Sequence, residues 1–226
     1  MSKNSRYIIR DREQSSIAEA FRALSSAMQE VKNGSDTQTV LFSAVSAGEG
    51  DVMTAVNTAA TLAHAGNKVI IVDCDMRHPV LHEIFQVELA GITNVILQDS
   101  PIDQMIQESG IAGLRVLAAG SVTSGAVELL SNEKLQTLFY HLKSIADYVI
   151  IVCSPLIIGS KTIVSDACIV ASKVDGVVLV IASRTVKTQT ARKAVELLKG
   201  ARARLIGTVL CDVVVDADFV YYSSVS

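Results

Sequence analysis

Val40-Leu-Phe-Ser-Ala-Val45-Ser46-Ala47-Gly48-Glu49-Gly50-Asp51-Val52 is the stretch that decides the fold. An apolar run ends at Val45 and two glycines follow within a turn. Val52, Val56, Ala59, Leu62 and Ala63 then recur at helical spacing until Gly66 offers a C-terminal cap. Strand, glycine turn and helix in that order aim backbone N–H groups and the positive end of a helix dipole at one point, the geometry of a phosphate-binding loop. Two glycines in a turn are weak evidence alone, so the context has to carry the reading. One helix later, Val69-Ile-Ile-Val-Asp73-Cys-Asp75-Met-Arg77-His-Pro79 ends a second apolar strand in carboxylates, which would face the first loop from a neighbouring strand.

Working outward, the same alternation continues. Lys68 to Asp73, Leu114 to Leu117, Tyr148 to Cys153, Gly176 to Ile181 and Leu205 to Leu210 join Val40 to Val45 as near-continuous apolar strands. Strands buried on both faces require that continuity. Helical patterns fall between them at Val52 to Ala65, Glu133 to Ala146 and Thr190 to Leu198. The pattern predicts α/β architecture, a doubly wound and mostly parallel sheet. Ahead of the first strand, Ser15 and Ser16 can cap a helix from Ile17 to about Val31, with Ile17, Phe21, Leu24 and Met28 as its apolar stripe. No repeat, low-complexity block or Pro-rich linker divides the 226 residues, so one domain over 1–226 is expected. Residues 1–35 hold the added helix and 213–226 form a tail with Tyr221 and Tyr222.

Composition narrows the function. Mean hydropathy is +0.39, yet the longest apolar stretches, such as Tyr148 to Ile158, fall short of the roughly 20 residues a membrane-spanning helix needs. The polar start, Met1-Ser-Lys-Asn-Ser-Arg, has no apolar core of a secretory signal, and a cytoplasmic location is expected. A net charge of −3 gives no global basic footprint for nucleic acid, although a local basic patch stays open. Cys74, Cys153, Cys168 and Cys211 contain no Cys-x-x-Cys pair and read as reduced core thiols. Among the histidines only His78 and His82 could share a helix face, too few for a zinc site.

These motifs together resemble the bacterial tyrosine kinases of capsule and exopolysaccharide synthesis, a P-loop family whose fold is shared with MinD and ParA ATPases. Ser46 to Val52 is similar to its Walker A loop, and Asp73-x-Asp75-x-Arg77-x-Pro79 to its second motif, Walker A'. Ser16-Ile-Ala-Glu19-Ala-Phe-Arg22 resembles its oligomerisation helix. Ala118-Ala-Gly120, Glu128-Leu-Leu-Ser131, Val164-Ser-Asp166-Ala, Val174-Asp175-Gly176 and Ile206-Gly207 continue the match along most of the chain. MinD and ParA loops carry a signature lysine where Ser46 stands here, which favours the kinase branch.

The departures bear on chemistry. Aligned on Gly48-Glu49-Gly50, the Walker A lysine becomes Asp51 and the magnesium-binding hydroxyl becomes Val52, with Met53 next in the degenerate loop. Lysine neutralises β- and γ-phosphate charge in such sites. A carboxylate reverses the sign, and two unit charges about 4 Å apart interact by about 4 kcal/mol at an effective dielectric of about 20. Val152 occupies the Walker B aspartate position, Ser154 replaces one of two prolines, and Cys211 stands where the family often has an adenine-reading asparagine. Asp73 and Asp75 remain, either as residual magnesium and catalytic groups or as strand-end carboxylates that cap a helix or pair with Arg77. Glu19 and Arg22 are either a weak intrahelical pair or, as the resemblance implies, contacts in a ring, although Ser25 replaces the next family arginine.

Three readings follow. The first is a degenerate kinase-like protein that binds no cofactor and acts as a non-catalytic module. It would dock on a membrane-embedded polysaccharide chain-length adaptor or an intact kinase relative, self-associate, and offer Tyr221 and Tyr222 as phosphosites. The second is a weak ATP- and magnesium-dependent autokinase, with Lys68 or Lys161 as a relocated cation. The third is a positioning ATPase like MinD or ParA.

Overall fold

The computed structural model describes residues 15–48, 50–158 and 166–212. Seven strands form one sheet: β1 Thr39–Ala44, β2 Val69–Asp73, β3 Ile106–Glu108, β4 Leu114–Leu117, β5 Tyr148–Val152, β6 Gly176–Ala182 and β7 Leu205–Cys211. Their order across the sheet is β3-β4-β2-β5-β1-β6-β7, and every pairing is parallel except that of β3 with β4. Each of the six strands expected from the apolar runs is present within a residue or two of its expected bounds. The central ones are buried along their whole length, as β1, β2 and β5 show.

Nine helices are found among the described residues: α1 Ser16–Gly34, α2 Asp51–His64, α3 Leu81–Phe85, α4 Ile92–Gln98, α5 Ile102–Met105, α6 Ala126–Ser131, α7 Glu133–Ile145, α8 Asp166–Ala171 and α9 Thr188–Gly200. They cover both faces, which makes the sheet doubly wound. On one side α1, α2 and α3 pack Met28, Val56, Ala59, Leu62, Leu81 and Phe85 onto Phe42, Ile71 and Ile150. On the other, α4 and α6 to α9 bury Ile92, Leu130, Leu138, Phe139, Ala171 and Leu198 against Leu41, Val72, Ile151 and Leu179.

The N-terminal helix forms where expected, and Ser15, not Ser16, caps it: Ser15 Oγ accepts from Ala18 N–H at 3.2 Å. Its expected stripe holds in part: Met28 is buried, Leu24 packs half-buried on the same core and Phe21 is half-buried, but Ile17 departs from it. Ile17 is 61% exposed, while Ala18, Ser25 and Met28 face α2. The closely packed α1–α2 contact takes small side chains and leaves the first-turn isoleucine outside it. A tight approach also fixes the middle of the chain. A Cβ on Gly91 would fall 1.7 Å from the Ala118 carbonyl oxygen, so the loop before α4 lies flush on the end of β4. No helix among the described residues is long and apolar enough to cross a membrane.

Candidate functional site

The glycine loop leaves β1 at its C-terminal end and enters α2. Gly48 (φ 82°) and Gly50 (φ 79°) adopt left-handed conformations that side chains disfavour, which accounts for both glycines. Gly50 is the N-cap of α2 and has no side chain to offer, so its carbonyl takes the first turn instead, accepting from Thr54 N–H and Thr54 Oγ1, each at 2.8 Å. Glu49 lies outside the described residues.

Asp51 opens the helix. Only 8% exposed, it turns its carboxylate back beneath the loop, where Oδ2 accepts from Ala44 N–H at 3.3 Å. An anionic side chain in the first turn also complements the helix dipole. Val52 and Met53 are partly buried and pack on the apolar layer beneath α2. Cys211, at the end of β7, approaches from the other side, with its Sγ 3.6 Å from Thr54 Oγ1 and 4.0 Å from where a Gly50 Cβ would sit.

Beside the loop, Ile157 N–H donates to Val45 O and Leu156 N–H to Ala44 O, drawing the Ser154-Pro155 turn alongside β1. Val152 is fully buried and sits in register with Asp73 on β2. The strand ends expected to meet do meet. What they bring together is a valine and a carboxylate.

Asp73 is wholly buried and, among the described residues, is held by three backbone N–H groups. Oδ1 accepts from Asp75 N–H (3.0 Å), and Oδ2 from Val80 N–H (2.8 Å) and Leu81 N–H (3.0 Å). Burial pushes its pKa up to about 6, against the lowering pull of those three donors, and the Asp75 charge adds to the rise. Asp75 organises the next turn, Oδ1 accepting from Arg77 N–H (3.1 Å) and His78 N–H (2.9 Å). Asp73 holds the start of α3, the capping role expected of a strand-end carboxylate, and Asp75 shapes the turn leading to it.

Arg77 corrects one expectation. Its guanidinium pairs with neither Asp73 nor Asp75 but with Asp166 at the start of α8, Nε to Oδ2 at 2.7 Å and Nη2 to Oδ1 at 3.4 Å. This hydrogen bond and the Asp166 charge raise the Arg77 pKa further. Asp166 is buried and 89 residues distant, so no local spacing could reveal it. Its one trace in the sequence was a carboxylate in Val164-Ser-Asp166-Ala. The two central thiols, Cys74 and Cys153, are buried where β2 and β5 end, and burial raises both pKa values. Neither they nor Cys168 and Cys211 form a disulfide among the described residues.

Other candidates are placed elsewhere. Lys68 precedes β2, at the N-terminal end of the parallel strands and so the opposite edge from the loop. It is no relocated phosphate cation. Lys161, Tyr221 and Tyr222 lie outside the described residues. His78 sits in the turn before α3 and His82 within it, so they share no helix face, and no group of three metal-binding side chains occurs among the described residues. Glu19 and Arg22 are exposed on α1, whereas Ser25 is buried against α2.

Comparison with known proteins agrees with this geometry. A family model described as an AAA domain matches residues 37–200. Tyrosine-protein kinase YwqD of Bacillus subtilis is 31% identical over 194 residues, covering 85% of this chain and 80% of that protein. The putative tyrosine-protein kinase CapB of Staphylococcus aureus is 30% identical over 215 residues, covering 95% and 92%. Among solved structures, the chimerical protein CapA2B2 superposes with a TM-score of 0.82 at 29% identity, covering 93% of this chain and 91% of its own.

Proposed function

The chain belongs to the AAA-domain family of P-loop proteins and, within it, to the bacterial tyrosine-protein kinases, and from that premise we propose that it is a non-catalytic member, a binding or regulatory module of capsule or exopolysaccharide assembly. The observation that carries this reading is Asp51. A buried carboxylate at the first residue of α2, bonded back to Ala44 N–H, stands where the family's loop has its lysine.

Magnesium nucleotide does not fit such a loop. Its phosphates would meet Asp51 instead of a cation. Val52 has no hydroxyl to offer a metal, and Val152 offers it no carboxylate. Of the two remaining candidates, Asp73 is buried with its oxygens engaged by backbone donors, and Asp75 Oδ1 accepts from the Arg77 and His78 N–H groups. Phosphoryl transfer needs positive charge and metal together. On this reading the protein takes no cofactor, and its surfaces do its work. Those surfaces would dock on a membrane-embedded chain-length adaptor or an intact kinase relative. Glu19 and Arg22 on the outer face of α1 are the residues for self-association, and Tyr221 and Tyr222 are acceptors for phosphorylation in trans.

Calorimetric titration with ATP and magnesium tests the reading. No saturable heat and no phosphotyrosine on Tyr221 or Tyr222 are expected. Saturable micromolar binding with autophosphorylation overturns the proposal. Asp51→Lys with Val52→Ser and Val152→Asp is expected to gain nucleotide binding. The double variant that leaves buried Val152 intact covers the case in which the triple variant fails to fold.

A further inference from the structure

We infer that the outer face of α9, with the chain segments flanking it, is an electrostatic docking surface for an anionic lipid leaflet. Residues 184–204 contain seven of the chain's twenty Lys and Arg residues, namely Arg184, Lys187, Arg192, Lys193, Lys199, Arg202 and Arg204. Only one of the twenty-three Asp and Glu residues, Glu196, falls within them. The segment therefore carries +6 and the remainder of the chain −9, which the overall −3 conceals. Scattered surface charge of the kind that only keeps a protein in solution would not separate this way.

The structure gathers these charges on one side. α9 buries Ala194 and Leu198 against the sheet and turns Arg192, Lys193 and Lys199 to solvent. Arg184 and Lys187 lead into its N-terminus and Arg202 leaves its C-terminus, so cations run the length of a helix about 20 Å long. Arg204 is engaged, donating to Ser35 Oγ and Thr37 Oγ1, and Lys199 pairs with Glu196. Among the described residues, Arg184, Lys187, Arg192, Lys193 and Arg202 have no carboxylate within ion-pair distance. β7 lies next to α9 at the sheet edge. A bulge in the β6–β7 register sets Leu205 beside Val177 and Leu210 beside Ile181, both of which face the α9 side of the sheet, and Leu210 is 59% exposed.

Cationic side chains with exposed leucines beside them suit an interfacial surface, which combines attraction to anionic headgroups with shallow apolar burial. Nucleic acid is disfavoured by the same residues. Positions 184–204 include no aromatic side chain to stack a base, and a remainder of −9 repels a polyanion that would extend past the patch. That asymmetry also orients the molecule, α9 toward the leaflet and the acidic bulk away. This contact is direct and independent of any adaptor or nucleotide.

Flotation of the purified chain with phosphatidylglycerol-containing vesicles tests it, with pure phosphatidylcholine vesicles and a duplex DNA oligonucleotide as comparators. Binding to the anionic vesicles alone is expected, weakening steeply as salt rises. Arg192→Gln with Lys193→Gln should reduce it about twenty-five-fold, at roughly fivefold per charge. Lys68→Gln with Arg115→Gln removes the same charge from the far half of the sheet and should change binding by less than about twofold. Absence of vesicle binding, equal loss in the two double variants, or tighter binding to the DNA than to the vesicles would each overturn the inference.

Discussion

Two aspartates at opposite ends of the same sheet, Asp73 and Asp175, meet opposite fates. Each leaves or enters a central strand and accepts several hydrogen bonds. Asp175 precedes β6 at the N-terminal end, where Oδ2 accepts from Gln38 N–H (3.0 Å) and Thr39 N–H (2.8 Å), and Lys143 Nζ lies 3.0 Å away. Burial raises its pKa, but those donors and the lysine outweigh burial and the net shift is downward. Asp73 has three backbone donors and, among the described residues, no cation, and burial wins. Two things differ: Asp175 is about a quarter exposed where Asp73 is fully buried, and Asp175 has an ammonium partner. At the structural end of the sheet the protein supplies a lysine to a carboxylate. At the end where an active relative would need positive charge, it supplies another carboxylate, Asp51.

The harshest way to break this comparison is Asp73→Ala, which strands three buried N–H groups at the turn into α3. Each unmet donor costs roughly 1–3 kcal/mol, offset in part by removing a buried charge, so a loss of about 4 kcal/mol is expected in urea unfolding. A change below about 1 kcal/mol would mean the turn holds without Asp73.

A subtler probe is pH. Asp73 has a folded pKa raised from 3.8 to about 6, so the native state binds the extra proton between those values. Its contribution to stability is therefore fully present below about pH 4 and lost as pH rises through about 6, by roughly 2–3 kcal/mol. Asp175 runs the other way: its contribution is present above pH 3.8 and lost as pH falls through its lowered value. Asp73→Asn should flatten the pH 4–6 slope of wild-type stability; an unchanged slope would show that another group produces it. The smallest effect belongs to Lys143→Gln. It should cost about 1 kcal/mol at neutral pH and move the Asp175 titration upward, readable by NMR of the carboxyl carbon.

Much of the architecture could be read from the chain because buried parallel strands announce themselves. Val40 to Val45 and Tyr148 to Cys153 are apolar on both faces, as strands covered by helices on both sides require. Short elements were silent. α3 has five residues and is held by Asp73 from outside itself, and β3 is a three-residue edge strand paired to β4. Neither is long enough to show a period. Of the α1 stripe, Leu24 and Met28 pack as expected and Ile17 does not, because helical spacing identifies a face but not how closely another helix lies against it. In the site, the glycines and the carboxylates were visible as types and spacings. The Arg77–Asp166 pair was not, since it depends on α8 arriving beside the Asp75 turn. Nor was the inward turn of Asp51, which depends on Ala44 N–H being within reach.

On the reading proposed above, a loop whose anion is part of the chain keeps no time. Where a nucleotide is exchanged or hydrolysed, charge at the start of α2 comes and goes, and a protein can release its partners on that schedule. Asp51 is covalently present in every copy at every moment. Associations made by such a protein would be ended by dilution, by salt or by modification from outside, never by an internal clock.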